Sequence, residues 1–309
     1  MPASAMNVLI VGPLSAAGEQ VLDALAGWAT PPRIAGADVE ATVGQDFEFR
    51  GEAMRVLDVR KLLAAPWDAI VVAAPLADVE LPAGPLVVAL PGVGLEAGLT
   101  LPGVPVERGA RLRTPDPLAA LVAEVLSALE GATRPTAVEV VALDAASAVG
   151  RPGMDELRDQ TIELLNFREP PVKVLPQRLA FEVLPRAQEP ADPAGAFTRD
   201  LAALRPGLAG HIFATRVLVP AFVGLTATLR IELAAPTTAA DVQAALARHP
   251  ALQLGEAPTL ADAIGEDVIH VGPPTLRGQV LHLWLAADDT RVGAALLAVR
   301  ILEGLEASR

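Results

Sequence analysis

"NVLIVGPLSAAGEQVLDALAG", residues 7–27, is the stretch on which the reading of the fold turns. Its first five residues are a mainly apolar run carrying the β-branched Val8, Ile10 and Val11, as in a parallel strand buried on both faces. Gly12–Pro13 breaks the run. From Ser15 onward Ala16, Ala17, Val21, Leu22 and Leu25 recur at helical spacing, and Gly27 supplies a stop. Two further apolar strands follow, in "WDAIVVAAP" (67–75) and "GPLVVAL" (84–90), which makes the first third a doubly wound parallel sheet. Before them "FEFRGEAMRVLDV" (47–59) alternates around Arg50–Gly51 and predicts a hairpin.

Composition narrows the function. The 309 residues suffice for two domains, and the 52% hydrophobic content is spread evenly rather than gathered in one block. No uniformly apolar stretch reaches the ~18 residues of a membrane span, so no membrane association is predicted. The start, "MPASAMNVLIVG", lacks a basic region before its apolar run, which predicts no signal peptide and a cytoplasmic protein. With no cysteine, disulfides, thiolate metal sites and thiol catalysis are all excluded. A net charge of −13 and 3% aromatics, none of them Tyr, argue against nucleic acid, which needs basic contacts and stacking platforms. The four histidines, His211, His249, His270 and His282, are scattered without ligand spacing, so no metal is predicted.

Residues 91–117 are rich in Gly and Pro and predict loop with little regular structure. The loop ends in "LRTPDPLAALVAEVL" (112–126), which opens a helix running to about Leu129. Asp116 fits its N-cap and Pro117 its first position, where proline's fixed φ is already helical. Beyond it, "TAVEVVAL" (136–143) begins a second sheet, and Met154, Leu157, Ile162 and Leu165 mark a helix. Residues 211–233 predict two strands joined by Pro220–Gly224, and "QVLHLWLAAD" (279–288) predicts another. Between them Thr238 caps a helix with Asp241 three residues on. Residues 187–195 are expected to be a flexible connector, and residues 290–307 an amphipathic helix.

Four blocks, "SAVGRPGMDELRDQTIELLN" (147–166), "VLPQRLAFEVLP" (174–185), "VLVPAFVGLTATLRIEL" (217–233) and "LWLAADDTRVGAALLAVRILEGL" (283–305), resemble the aspartate-semialdehyde dehydrogenase family in sequence and order. The resemblance implies a dinucleotide-binding, Rossmann-like domain at 1–117 and a second α+β domain at 118–288 for dimerisation and formerly catalysis. It also implies a C-terminal helix at 289–309 that returns to the first domain. The family reaction so implied is reversible, NADPH-dependent reduction of an acyl phosphate to an aldehyde through a thioester. That chemistry needs a thiolate nucleophile, a histidine to move its proton, and arginines to clamp carboxylate and phosphate.

Matched to the family, the nucleophile position is Pro117, the proton carrier is Leu225, the clamp is Leu218 and an active-site glutamine is Asp144. Proline has no nucleophilic atom, and an acid at 144 repels an anionic substrate. Thr114 and Asp116 are near the nucleophile position, and capping accounts for Asp116 without further assumption. Arg216 is expected in a surface or salt-bridge role rather than as a displaced clamp, on the same strand side as Leu218. The cofactor loop corresponds to Gly12, Pro13, Leu14, Ser15, Ala16 and Ala17, closed by Gly18. Its middle glycine has become Ser15, Pro13 has lost an N–H, and the basic cluster expected for a 2′-phosphate is replaced by Asp38 and Glu40. NAD or NADP thus remains an open cofactor reading, and a nucleotide or other small molecule an open ligand. The reading that follows is a catalytically inactive, homodimeric binding or regulatory scaffold. Its alternative is an NAD(P)-dependent aldehyde or acyl-phosphate oxidoreductase of amino-acid biosynthesis with altered residues or substrate.

Overall fold

The computed structural model describes residues 5–186 and 195–307. Of the connector expected at 187–195, residues 187–194 lie outside the described residues, and Gly195 opens a helix. The chain divides into two compact units, Met1–Pro115 with Ala294–Arg309, and Asp116–Gly293.

The first unit contains β1 (Asn7–Val11), α1 (Ala16–Ala26), β2 (Arg33–Asp38), β3 (Asp46–Phe49), β4 (Glu52–Arg55), β5 (Leu57–Asp58), β6 (Ala69–Val72), β7 (Leu86–Ala89), β8 (Gly98–Leu99) and β9 (Arg111–Arg113). Seven of these strands form one parallel sheet in the order β5-β2-β1-β6-β7-β9-β8. The order runs outward from β1 in both directions, as in a doubly wound sheet. β1, β6 and β7 are wholly buried apart from Asn7, which is why they read as unbroken apolar runs. The hairpin β3–β4 turns at Arg50 and Gly51, both with positive φ, as a two-residue primed turn requires.

The stretch 91–117 is more regular than its composition predicts. β9 joins β7, and β8 joins β9, each through two or three residues. Such short edge strands carry no periodic signature, because neighbouring strands, not their own side chains, specify them.

The turn after β1 depends on its two outer glycines. Gly12 has φ +77, and a β-carbon there would lie 2.4 Å from that of Ala74. At Gly18 a β-carbon would lie 2.0 Å from the Gly12 carbonyl oxygen, so α1 approaches the strand end at backbone distance. Ser15 caps α1 by accepting a hydrogen bond from Gly18 N at 3.0 Å.

The second unit contains α2 (Pro117–Leu129), β10 (Pro135–Asp144), α3 (Arg151–Leu165), β11 (Leu184–Pro185), α4 (Gly195–Leu204), β12 (Ile212–Leu218), β13 (Leu225–Leu233), α5 (Ala239–Ala247), β14 (Leu252–Leu254), α6 (Leu260–Ala263), β15 (Ile269–Val271), β16 (Thr275–Arg277) and β17 (Val280–Ala287). Its sheet is mixed, in the order β11-β12-β10-β13-β17-β15-β14, with β16 paired to β17. One face carries buried side chains such as Val138, Val140, Ile212, Leu229 and Ile231. The opposite face leaves Val141, Phe213 and Trp284 exposed. The final helix, α7 (Leu296–Ala307), belongs to the first unit, where Ala298, Val299, Ile301, Leu302 and Leu305 share a core with Val8, Ile10 and Leu25.

Gly18→Ala forces α1 away from β1 and is expected to cost about 2–3 kcal/mol in urea unfolding. Gly84→Ala, which meets nothing within 4 Å and has no positive φ, is the matched control expected to stay near wild type.

Candidate functional site

The positions singled out in the sequence come together in the second unit. Register places Asp144 of β10 opposite Leu218 of β12 on one side and opposite Leu225 of β13 on the other, with Ala287 of β17 next in the row. Leu218 and Leu225 are 2% and 1% exposed, so hydrocarbon fills the row on both sides of a single carboxylate.

That carboxylate is 1% exposed and does not stand alone. Arg216, two residues before Leu218 and on the same strand face, donates from Nε to Asp144 Oδ2 at 2.8 Å and from Nη2 to Oδ1 at 2.7 Å. Its Nη1 donates to Asp116 Oδ2 at 2.9 Å. Three of the guanidinium's five N–H groups are therefore committed to the protein's own acids. Arg186 adds a charge contact to Asp144 at 3.0 Å. Burial alone raises the Asp144 carboxyl, but Arg216 and Arg186 outweigh it and hold the group below its ordinary value. Burial likewise lowers Arg216, and the two carboxylates more than reverse it, leaving the guanidinium firmly charged. Asp144 is thus a neutralised acid, not the bare repulsive charge that sequence position alone suggests.

Asp116 links this pair to α2. Its Oδ1 caps the helix by accepting from Leu118 N at 3.0 Å and Ala119 N at 3.3 Å, while its Oδ2 takes Arg216. Its own N–H donates to Asp200 on α4 at 2.9 Å. Pro117 follows as the first residue of the helix. A β-carbon on Gly293 would lie 2.7 Å from that of Pro117, so backbone packs closely against the proline. Both Asp116 oxygens are therefore committed, one to the helix start and one to Arg216.

Beside the row is a second buried acid. Asp289 Oδ1 accepts from Ser147 Oγ at 3.1 Å and from Gly224 N at 3.1 Å, tying the β12–β13 connector to the segment before α3. Burial, with Asp288 and Asp144 nearby, pushes its carboxyl up to about 6 despite those hydrogen bonds.

The other candidates do not join the cluster. Thr114, in the first unit, is fully buried with its hydroxyl 3.5 Å from the Ala89 carbonyl. His249 Nε2 stands 3.4 Å from Glu124 beyond the end of α5, His211 and His282 are exposed, and His270 is buried in β15. Among the described residues no group of three or more His, Asp or Glu could hold a metal ion. In the first unit Asp38, which ends β2, is 7% exposed and accepts from Thr42 Oγ1 and Val39 N, both at 2.6 Å. Arg186, Asp200 and the Ser147–Asp289 pair carried no local signal in the sequence. Each reaches the site through a partner far along the chain, Asp144 for Arg186, Asp116 for Asp200, and Ser147 and Asp289 for each other.

These two units, a doubly wound parallel sheet and a mixed sheet with the α2 start tied by Asp116 to Arg216 near its strand ends, have the architecture of a semialdehyde dehydrogenase. Residues 126–292 match the family model described as semialdehyde dehydrogenase, dimerisation domain, and the chain belongs to that family. It is 36% identical over 171 residues to the USG-1 protein homolog of Azotobacter vinelandii, covering 51% of this chain and 50% of that one. It is 31% identical over 188 residues to the aspartate-semialdehyde dehydrogenase of Legionella pneumophila, covering 55% and 53%. The chain thus spans about half the length of these relatives. Its fold superposes on a probable aspartate-semialdehyde dehydrogenase from Pseudomonas aeruginosa with a TM-score of 0.84 and 25% identity, covering 98% of this chain and 99% of that one. No helix among the described residues is long and apolar enough to cross a membrane.

Two stability changes of opposite sign test this geometry. Arg216→Leu leaves Asp144 buried with only Arg186 nearby and is expected to cost about 3–5 kcal/mol in denaturant unfolding. Asp289→Asn acts the other way. The folded protein holds the Asp289 proton up to about 6, whereas the unfolded chain releases it near 3.8, so this group lowers stability as pH rises through that window. Asparagine keeps the oxygen that accepts both hydrogen bonds and cannot ionise. Unfolding at neutral pH is expected to show a gain of roughly 2–3 kcal/mol that vanishes below about pH 4.

Proposed function

We propose that this protein is a catalytically silent member of its family, a dimeric scaffold for binding or regulation. The observation that carries the reading is the closed ion cluster at Arg216. Arg216, two residues before the family's clamp position, has three of its five N–H groups held by Asp144 and Asp116, and the matched nucleophile and base positions hold Pro117 and Leu225. Where such groups act as a unit, loss of the nucleophile alone costs on the order of 10⁶ in turnover.

A cofactor, if one is kept, falls to the turn formed by Gly12, Pro13, Leu14, Ser15, Ala16 and Ala17. Pro13 offers no N–H, the Ser15 hydroxyl is spent on capping α1, and Asp38 is engaged by Thr42. The acid is also wrong for a 2′-phosphate. Dimerisation falls to the open face of the mixed sheet. There Phe213, Val141 and Trp284 stand 59%, 43% and 36% exposed on adjoining strands, within the span of the dimerisation-domain match. A second copy of this chain is the occupant that match favours.

Purified protein is expected to give no phosphate-dependent, NADP-linked oxidation of aspartate semialdehyde, and calorimetry no saturable heat with NAD or NADP. Turnover that tracks the protein through purification restores the oxidoreductase alternative. Light scattering is expected to find a dimer at micromolar concentration, and the double variant Val141→Asp, Phe213→Asp a monomer with unchanged circular dichroism. A monomeric wild type refutes the assembly.

A further inference from the structure

The far edge of the mixed sheet carries a feature that none of the preceding chemistry uses. His270 on β15 is 7% exposed, and its Nε2 is buried with no hydrogen-bond partner. Leaving such an atom unpaired is unfavourable, because in water it would always be bonded. In the parallel ladder His270 lies opposite Gln253 of β14, so both side chains point to the same face. On that face they line a surface cavity of about 440 Å³. That volume is within the range of small-molecule sites.

The rest of the lining is acidic. Glu256, Asp262 and Glu266 stand around the opening with no cation among the lining residues. Asp262 Oδ2 is occupied by the Thr259 N–H and hydroxyl at 2.8 and 2.7 Å, which leaves Oδ1 uncommitted to that cap. Neither Glu256 nor Glu266 has a salt-bridge partner among the described residues. Ala257 and Pro258 supply the apolar part of the lining. The acids do not converge tightly enough with His270 to coordinate a metal ion. Spaced carboxylates, one buried imidazole and a short apolar wall instead suit a longer cation whose charges are separated by methylenes.

We infer that this cavity binds an organic ammonium ion of the aliphatic diamine class, with His270 Nε2 accepting from one ammonium and Glu256 and Glu266 pairing the other. An ammonium group brings three donors and no acceptor, which matches the carboxylate oxygens and the unpaired His270 Nε2 of this lining. The methylenes lie against Ala257 and Pro258. The net charge of −13 favours capture of such a cation from solution.

The test is a titration of the intact protein, carrying side-chain-labelled histidine, with cadaverine, followed by NMR. With four histidines the spectrum is simple, and His270→Gln identifies the resonance. Cadaverine is expected to shift that resonance saturably, while pentanol at equal concentration leaves it unmoved. The double variant Glu256→Gln, Glu266→Gln is expected to weaken binding by about tenfold or more. An unmoved resonance at millimolar cadaverine overturns the inference. So does an unchanged affinity in the double variant, or a shift that sodium chloride reproduces at the same ionic strength.

Discussion

The second unit is organised around one guanidinium held between two carboxylates. Removing three charges from water is expensive, and such a cluster persists only when nearly every donor and acceptor is matched. Here Asp144 receives both arms of the Arg216 fork, and Asp116 divides its two oxygens between a helix start and the same arginine. One consequence is mechanical. The start of α2 and the C-terminal ends of β10 and β12 are fixed to each other by charge. The other consequence is chemical. Three of the five N–H groups of Arg216 are held by the protein's own acids, which leaves two for any other anion.

Hydrocarbon completes what the ions begin. Because Asp144 shares a row with Leu218 and Leu225, the acid lies in a trough of low dielectric, and its pairing with Arg216 is stronger for it. The same surroundings explain why Asp289, which has hydrogen bonds but no cation, shifts in the opposite direction. Two buried aspartates close in the fold are thus driven apart by whether an arginine reaches them.

Much of the fold was legible in the sequence because its signals are local. The apolar runs at 8–11, 69–72 and 86–89 announce doubly buried strands, Ser15, Asp116 and Thr238 announce caps, and Arg50–Gly51 announces a hairpin, all of which the structure contains. The short strands β8 and β9 were not legible, since two or three residues carry no period. At the site, the family resemblance pointed to Pro117, Leu218, Leu225 and Asp144, and the last three share one row of the mixed sheet. The fate of Arg216 could be read only as a choice of roles. Its partners lie 72 and 100 residues away, and no spacing rule connects them. The role of Asp144 was misjudged for the same reason, because a charge can be weighed only with its neighbours in place.

The alternation of side chains across a strand separates two sets of positions that answer to different surroundings. Asp144, Arg216 and Leu218 point to the face covered by helices, whereas Val141, Phe213 and Thr228 point to the other, one residue out of phase along the same strands. A substitution at an inner position changes the charge and packing around Asp144 without altering the outer surface, and the reverse is equally true. The two faces are also under different physical demands. The inner one must balance charge in a low dielectric, which rewards replacing an exposed reactive group with a leucine or a paired ion. The outer one must keep enough apolar area in register for another surface to cover it. These strands meet both demands, with paired ions and hydrocarbon on the inner face and Val141, Phe213 and Trp284 on the outer one.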